Sequence, residues 1–158
     1  MQKIAPCLWF DGNAEEAANF YLSVFPASRI AATLHYTEAG PGRGGDVLAI
    51  TFELDGQEFM ALNGGPQYQF TPALSLMVHC ASQEEVDRYW STFIDSGGTA
   101  VACGWLRDRY GVSWQIVPDG LLEMLRDPDR DKANRVMASM MNMIKLDIAA
   151  LRKAYRGE

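Results

Sequence analysis

No stretch of this sequence approaches the roughly 18 consecutive apolar residues of a membrane-spanning helix. Asp11 also interrupts the start MQKIAPCLWFDG where a secretory signal would continue its apolar region. Cysteine is sparse. Cys7, Cys80 and Cys103 form no CxxC pair, and their odd number argues against a disulfide framework, so reduced thiols in a cytoplasmic protein are expected. Histidine is scarcer still, with only His35 and His79. No Lys/Arg cluster stands ahead of the C-terminal region, and the formal charge of -6 disfavours a phosphate-binding face. The glycine loop TEAGPGRGG has neither the GK[ST] ending of a P-loop nor the GxGxxG spacing of a dinucleotide turn. These shortages set aside a membrane span, a nucleic-acid partner, a disulfide scaffold and a nucleotide cradle.

What the chain does have is apolar residues, 48% of 158, enough for one compact domain or two small, mutually dependent modules. Ile4 to Phe10 reads as a strand, and Asp11-Gly12-Asn13 as a turn. Asn13 as N-cap with Glu16 behind it starts a helix at Ala14. That helix carries its apolar stripe on Ala17, Phe20, Tyr21 and Val24, and Pro26 stops it. Strands are expected over Arg29–Tyr36, Asp46–Leu54 and Phe59–Leu62, the last two joined through a tight Asp55-Gly56 turn.

The same outline then returns. Leu74 to Cys80 is a strand, Ser82 and Glu85 form a capping box, and Val86, Tyr89, Trp90, Phe93 and Ile94 form a helix stripe. Thr99–Leu106 and Val112–Val117 are strand-like around a turn at Arg107–Gly111. Aligning the two helices places Glu15 and Glu16 on Glu84 and Glu85, Phe20 on Tyr89, Tyr21 on Trp90, and Leu8 on Met77. The repeated unit is strand, helix, then three strands, present twice.

After Gly120 the pattern changes. Leu121–Leu125 is a short strand or helical turn, and Asp127-Pro128 reads as a cap followed by proline at the first helical position. Val136, Met137, Met140, Met141 and Ile144 lie at helix spacing, and Asp147 caps a last helix bearing Ile148, Leu151 and Tyr155. A methionine-rich helix packs as gap filler or serves as a lid or adaptable ligand wall.

The segments PCLWFDGNAEEAANFY, ELDGQEFMALNGGP, CGWLRDRYGVSWQIVP and DPDRDKANRVMASMMNMIKLDIAAL resemble the PhnB-like family, widely labelled as the 3-demethylubiquinone-9 3-methyltransferase domain. That family lies in the glyoxalase, bleomycin-resistance and dioxygenase superfamily, also called vicinal oxygen chelate proteins. The resemblance implies an α+β fold in which paired βαβββ modules form an open-barrel cleft, with a C-terminal helical extension. The boundaries expected are a domain over 1–126, made of modules 1–66 and 73–126, and an extension over 127–158. It also implies a homodimer. The superfamily's metal positions carry over to Pro6 and Ser75 on the first strands, and to Met60 and Gln115 on the last. None is a good divalent-metal ligand, so no metal is expected. The label implies S-adenosylmethionine, yet the glycine-rich turn of a doubly wound sheet is missing.

The function expected is a small-molecule binding protein or a metal-independent enzyme. The alternatives are methyl transfer, a metal-dependent lyase or dioxygenase, and a structural or interaction protein. The catalytic candidates are His79, Cys7 and Gln115. His79 shares a strand face with Ser75 and Met77, Cys7 stands beside the entrance of the first strand, and Gln115 is an amide that needs a partner. Trp9, Phe52, Met60, Asn63, Ser75, Met77, His79, Trp105, Arg107 and Gln115 are the ligand-binding candidates, lining a cleft for a small, aromatic molecule. His35 is expected near the glycine loop and exposed.

Overall fold

The computed structural model describes all residues, Met1–Glu158, as two compact units, Met1–Gln69 and Phe70–Glu158. The first unit runs β1 (Cys7–Phe10), α1 (Ala14–Val24), β2 (Ser28–His35), β3 (Val47–Leu54) and β4 (Gln57–Asn63), with sheet order β1-β4-β3-β2. β1 lies parallel to β4, while β2, β3 and β4 form an antiparallel meander. The second unit repeats this as β5 (Ser75–Cys80), α2 (Gln83–Asp95), β6 (Thr99–Ala100), β7 (Trp105–Arg107) and β8 (Ser113–Pro118), ordered β5-β8-β7-β6. Three helices follow, α3 (Leu121–Leu125), α4 (Arg130–Met141) and α5 (Ile148–Arg156). The fold is α+β, with the duplicated βαβββ unit and the helical extension that the sequence implies.

Strand alternation decides what each sheet face does. In the first unit Leu8, Phe10, Ile50, Phe52, Phe59 and Ala61 are buried on the face that receives α1. Tyr21 stacks on Phe52 at 6.4 Å between ring centroids, and Phe52 on Phe59 at 5.5 Å. The opposite face carries Cys7 beside Met60 and Trp9 beside Leu62. In the second unit Phe93 of α2 meets Trp114 at 4.9 Å, over a core that includes Leu106 and Ile116. Its helix-free face carries the row Met77, Gln115, Trp105 and the row Ser75, Ser113, Arg107.

These registers correct the repeat alignment by one residue. Cys7 pairs with Met60, and Met77 with Gln115. Cys7 is therefore the counterpart of Met77, and Leu8 matches the buried Val78 rather than Met77. The turn before α1 holds one residue more than the turn before α2, and Gly12, at φ 83°, absorbs it. Pro6 consequently is not the counterpart of Ser75. It precedes β1, offering its carbonyl to the Met60 N–H at 2.9 Å.

The helix starts also differ from expectation. The Asn13 side chain makes no capping bond; Asn63 at the end of β4 reaches across instead, its Oδ1 accepting the Ala14 N–H at 2.9 Å. Ser82 does cap α2, accepting from the Glu85 N–H at 3.2 Å. Glu85 returns to the Ala81 N–H at 2.7 Å, one residue ahead of the cap. The strand expected over Thr99–Leu106 breaks into β6 and β7, because Cys103 (φ 61°) and Gly104 (φ 82°) turn left-handed between them.

In the extension, Asp129 rather than Asp127 caps α4, accepting from the Asp131 and Lys132 N–H groups. Asp147 caps α5 through the Ala150 N–H, as expected. Val136 is buried, whereas Met137, Met141 and Ile144 are exposed. The stripe is narrower than the spacing implied: Met137 and Met141 lie on the exposed side of α4, and Ile144 falls beyond its end at Met141. Val136 joins Val117, Leu121, Leu146 and Leu151 in one core cluster, flanked by Met140 and Met143. The backbone after α4 hydrogen-bonds to the β6–β7 turn, Cys103 N–H to Met143 O at 2.8 Å and Gly104 N–H to Ile144 O at 2.7 Å.

Asp127 is used as a clasp. The Tyr155 hydroxyl donates to its Oδ2 and the Asp129 N–H to its Oδ1, and these bonds hold the carboxyl below its ordinary value of 3.8. A depressed folded value means that the stabilisation is complete above 3.8 and is lost as pH falls through the folded value. Asp127→Asn is therefore expected to flatten the acid limb of the stability profile, read by urea unfolding at stepped pH. An unchanged acid limb would remove this role.

Candidate functional site

A groove of about 310 Å³ opens in the first unit, lined by Trp9 of β1, His35 at the end of β2, Tyr36, Thr37, Gly40 and Pro41 of the following loop, Leu48 of β3, and Leu62, Asn63 and Gly64 at the end of β4. Its walls are fixed by short-range chemistry. The Trp9 indole N–H donates to Gly65 O at 2.9 Å, and Tyr68 meets the indole edge-on, with centroids 5.0 Å apart. Gly64 lies flat against the indole, where a Cβ would overlap Trp9 Cε2 and Cζ2. The Tyr36 hydroxyl donates to Asn63 O at 2.6 Å, and Asn63 Nδ2 donates to Val47 O at 3.1 Å. The glycine loop thus folds back beside an aromatic slot.

Of the ligand-binding candidates, Trp9 and Asn63 line this groove. Asn63 uses both ends of its amide in holding α1 and β3. Met60 lies beside Cys7 on the same helix-free face. Phe52 is fully buried under α1 between Tyr21 and Phe59, so it belongs to the core and not to a ligand-binding surface. Sequence reasoning passed over Tyr36, Leu48 and Leu62, and left His35 aside. The alternation of β4 was a signal for Leu62, which pairs with Trp9; alternation assigns Leu48 to the face of Ile50 and Phe52 and gave no signal for it. The return of the loop over Tyr36 had none beyond its glycines.

In the second unit, Ser75, Met77, Trp105, Arg107 and Gln115 share the helix-free face. Gln115 finds its partner there: Nε2 donates to Ser75 Oγ at 2.9 Å. His79 is exposed beside Val117, with no hydrogen-bonded carboxylate to orient it as a base. Asp108 is buried, at 4% exposure. Its Oδ1 accepts the Tyr110 and Val112 N–H groups at 2.8 and 3.0 Å, and its Oδ2 accepts the Trp114 indole N–H at 2.9 Å.

Thiol chemistry is muted. Partial desolvation of Cys7 raises its thiol, although the residue stands exposed at the sheet edge, so it is mostly protonated at neutral pH and a weak nucleophile. Cys80 is buried and pushed up to about 12, mainly by desolvation and then by Glu85 and Asp119. For a metal of the kind the superfamily uses, the donor set is poor. Met60, Ser75 and Gln115 offer neither imidazole, carboxylate nor thiolate, and no group of three or more His, Cys, Asp or Glu side chains stands together. The residues present do not fit such an ion. No helix is long and apolar enough to cross a membrane.

A family model described as 3-demethylubiquinone-9 3-methyltransferase matches residues 2–117. Among solved structures, the chain is 42% identical to a PhnB protein from Bacillus cereus, covering 74% of this chain and 99% of that one with a TM-score of 0.66. Protein PA1353 from Pseudomonas aeruginosa is 21% identical over 75% of this chain and 100% of that one, with a TM-score of 0.60. The fosfomycin resistance protein FosX from Listeria monocytogenes, complexed with Mn(II), is 14% identical over 80% and 98% of the two chains, with a TM-score of 0.54. These last two likenesses show the fold alone. No curated protein matches the sequence. A family model spanning most of the chain, joined to a relative 42% identical and covered almost end to end, places this protein in the PhnB-like, 3-demethylubiquinone-9 3-methyltransferase family of the vicinal oxygen chelate superfamily.

Proposed function

We propose that this protein binds a small, flat, apolar molecule in the first-unit groove, as a carrier or a metal-independent enzyme working in the cytoplasm as a homodimer. The observation that carries this reading is the groove itself: about 310 Å³, walled by Trp9, Tyr36, Pro41, Leu48 and Leu62, with neither carboxylate, lysine nor arginine in its lining. Apolar walls with a few placed polar groups are what a neutral aromatic ligand requires. The three free cysteines accord with a reducing compartment.

Native mass spectrometry of protein purified from its source tests the reading, because ligand, metal and oligomer are seen together. The expected spectrum shows two chains and a small organic adduct that survives chelation and is lost in Trp9→Ala. A spectrum without an adduct, from protein that also fails to bind aromatic probes, rejects the binding function. A single-chain mass rejects the dimer.

The family description favours a second reading, methyl transfer. An adenosyl donor brings a ribose diol and charged amino-acid ends, and the groove offers no charged side chain, histidine aside, to receive them. The residues present do not fit it. Titration with saturating S-adenosylmethionine is expected to show no heat of binding, and measurable binding would revive the transferase reading.

A further inference from the structure

Three polar side chains of the groove wall are already engaged. The Trp9 N–H is given to Gly65 O, the Tyr36 O–H to Asn63 O, and the Asn63 amide to Ala14 and Val47. His35 is different. Its Nδ1 lies 3.0 Å from Gly45 O, and a carbonyl oxygen can only accept, so the ring proton of the neutral imidazole resides on Nδ1. Nε2 is then a bare acceptor, and the tautomer is set by a backbone group.

That backbone group is itself held in place. The Gly45 N–H donates to Tyr36 O at 3.0 Å, and the Tyr36 N–H donates to Asp46 O at 2.8 Å, so the ends of the glycine loop close as a continuation of the β2–β3 ladder. The loop delivers Gly45 O to the imidazole on a short tether. His35 is also among the residues that line the groove.

We infer that His35 is the polar anchor of the groove, selecting, through Nε2, an uncharged aromatic ligand that carries a hydrogen-bond donor such as a phenolic hydroxyl. The inference rests on the binding function proposed above and names the chemistry of its ligand. The absence of any carboxylate, lysine or arginine from the lining argues for a neutral ligand, since an ionised one would lose hydration without gaining a counter-charge. The phenolic O–H pairs with the imidazole lone pair while the ring lies among Trp9, Leu48 and Leu62.

The test compares a naphthol with the matching methoxynaphthalene, titrated into the full-length protein by calorimetry. One hydrogen bond of ordinary net strength makes the naphthol bind about five- to tenfold more tightly. His35→Phe is expected to abolish that preference, bringing the ratio of the two affinities to about one whatever the absolute affinity becomes. Equal affinity of the two probes for the native protein, or a preference that survives in His35→Phe, overturns the role of His35 while the groove stands as a binding site. Binding of neither probe overturns both the role and the site.

Discussion

Asp108→Ala is expected to destabilise the second unit by about 3–5 kcal/mol, because it strands three donors at once. The Tyr110 and Val112 N–H groups and the Trp114 indole N–H all end on this one buried carboxylate. Two of them set the turn between β7 and β8, and the third fixes the ring that packs under Phe93. Water cannot easily replace the carboxylate at a position only 4% exposed. Urea unfolding followed by tryptophan fluorescence measures the loss, and near-ultraviolet dichroism reports on the environment of the indole. Asp108→Asn keeps an acceptor oxygen but turns an NH₂ group toward donors, so it should fall between native and alanine. A loss under about 1 kcal/mol for the alanine variant would show that the turn is held by backbone contacts alone.

Gly64→Ala is expected to weaken aromatic probe binding about 30-fold, the scale of a binding hot spot near 2 kcal/mol. The added methyl has nowhere to go except into the Trp9 indole. The indole must swing off its bond to Gly65 O and into the groove, or out of it. Either way the slot loses its wall. The ring lies on the helix-free face, away from the core under α1, so the unfolding midpoint should move much less than the affinity does. Adding Trp9→Phe to Gly64→Ala removes the overlapping ring, and the double variant should bind no worse than Gly64→Ala alone. Unchanged affinity in Gly64→Ala would mean that the ligand seats elsewhere.

The fold was largely legible in the chain because its signals are local and repeated. A helix opening at Ala14 is followed by another at Gln83, Asp55-Gly56 gives a hairpin, and the apolar alternation of Val47–Leu54 shows which face is buried. The errors fall where one residue changes a register or where a partner comes from far along the chain. Gly12 shifts β1 against its repeat, and Asn63 caps a helix that Asn13 seemed placed to cap. The site was only partly legible for the same reason. Trp9 stands out as a large aromatic on a strand, but Phe52 reads no differently, and only the register puts one in a groove and the other in the core. His35 looked incidental because its importance depends on Gly45, which the loop brings back to it. Gln115 looked like an amide in need of a ligand, and Ser75 on a strand forty residues earlier in the chain supplies its partner.

The manner in which the extension is secured makes the two repeats unequal during synthesis. The first unit has made all its strands by Asn63 and can close its sheet as soon as that residue has cleared the ribosome. The second unit cannot. Val117 at the end of β8 is buried with Leu121, Val136, Leu146 and Leu151, and the β6–β7 turn waits for Met143 and Ile144 to receive its two N–H groups. The nascent second sheet therefore exposes apolar surface until α5 emerges, and this interval is where a chaperone or an aggregating neighbour would meet the chain.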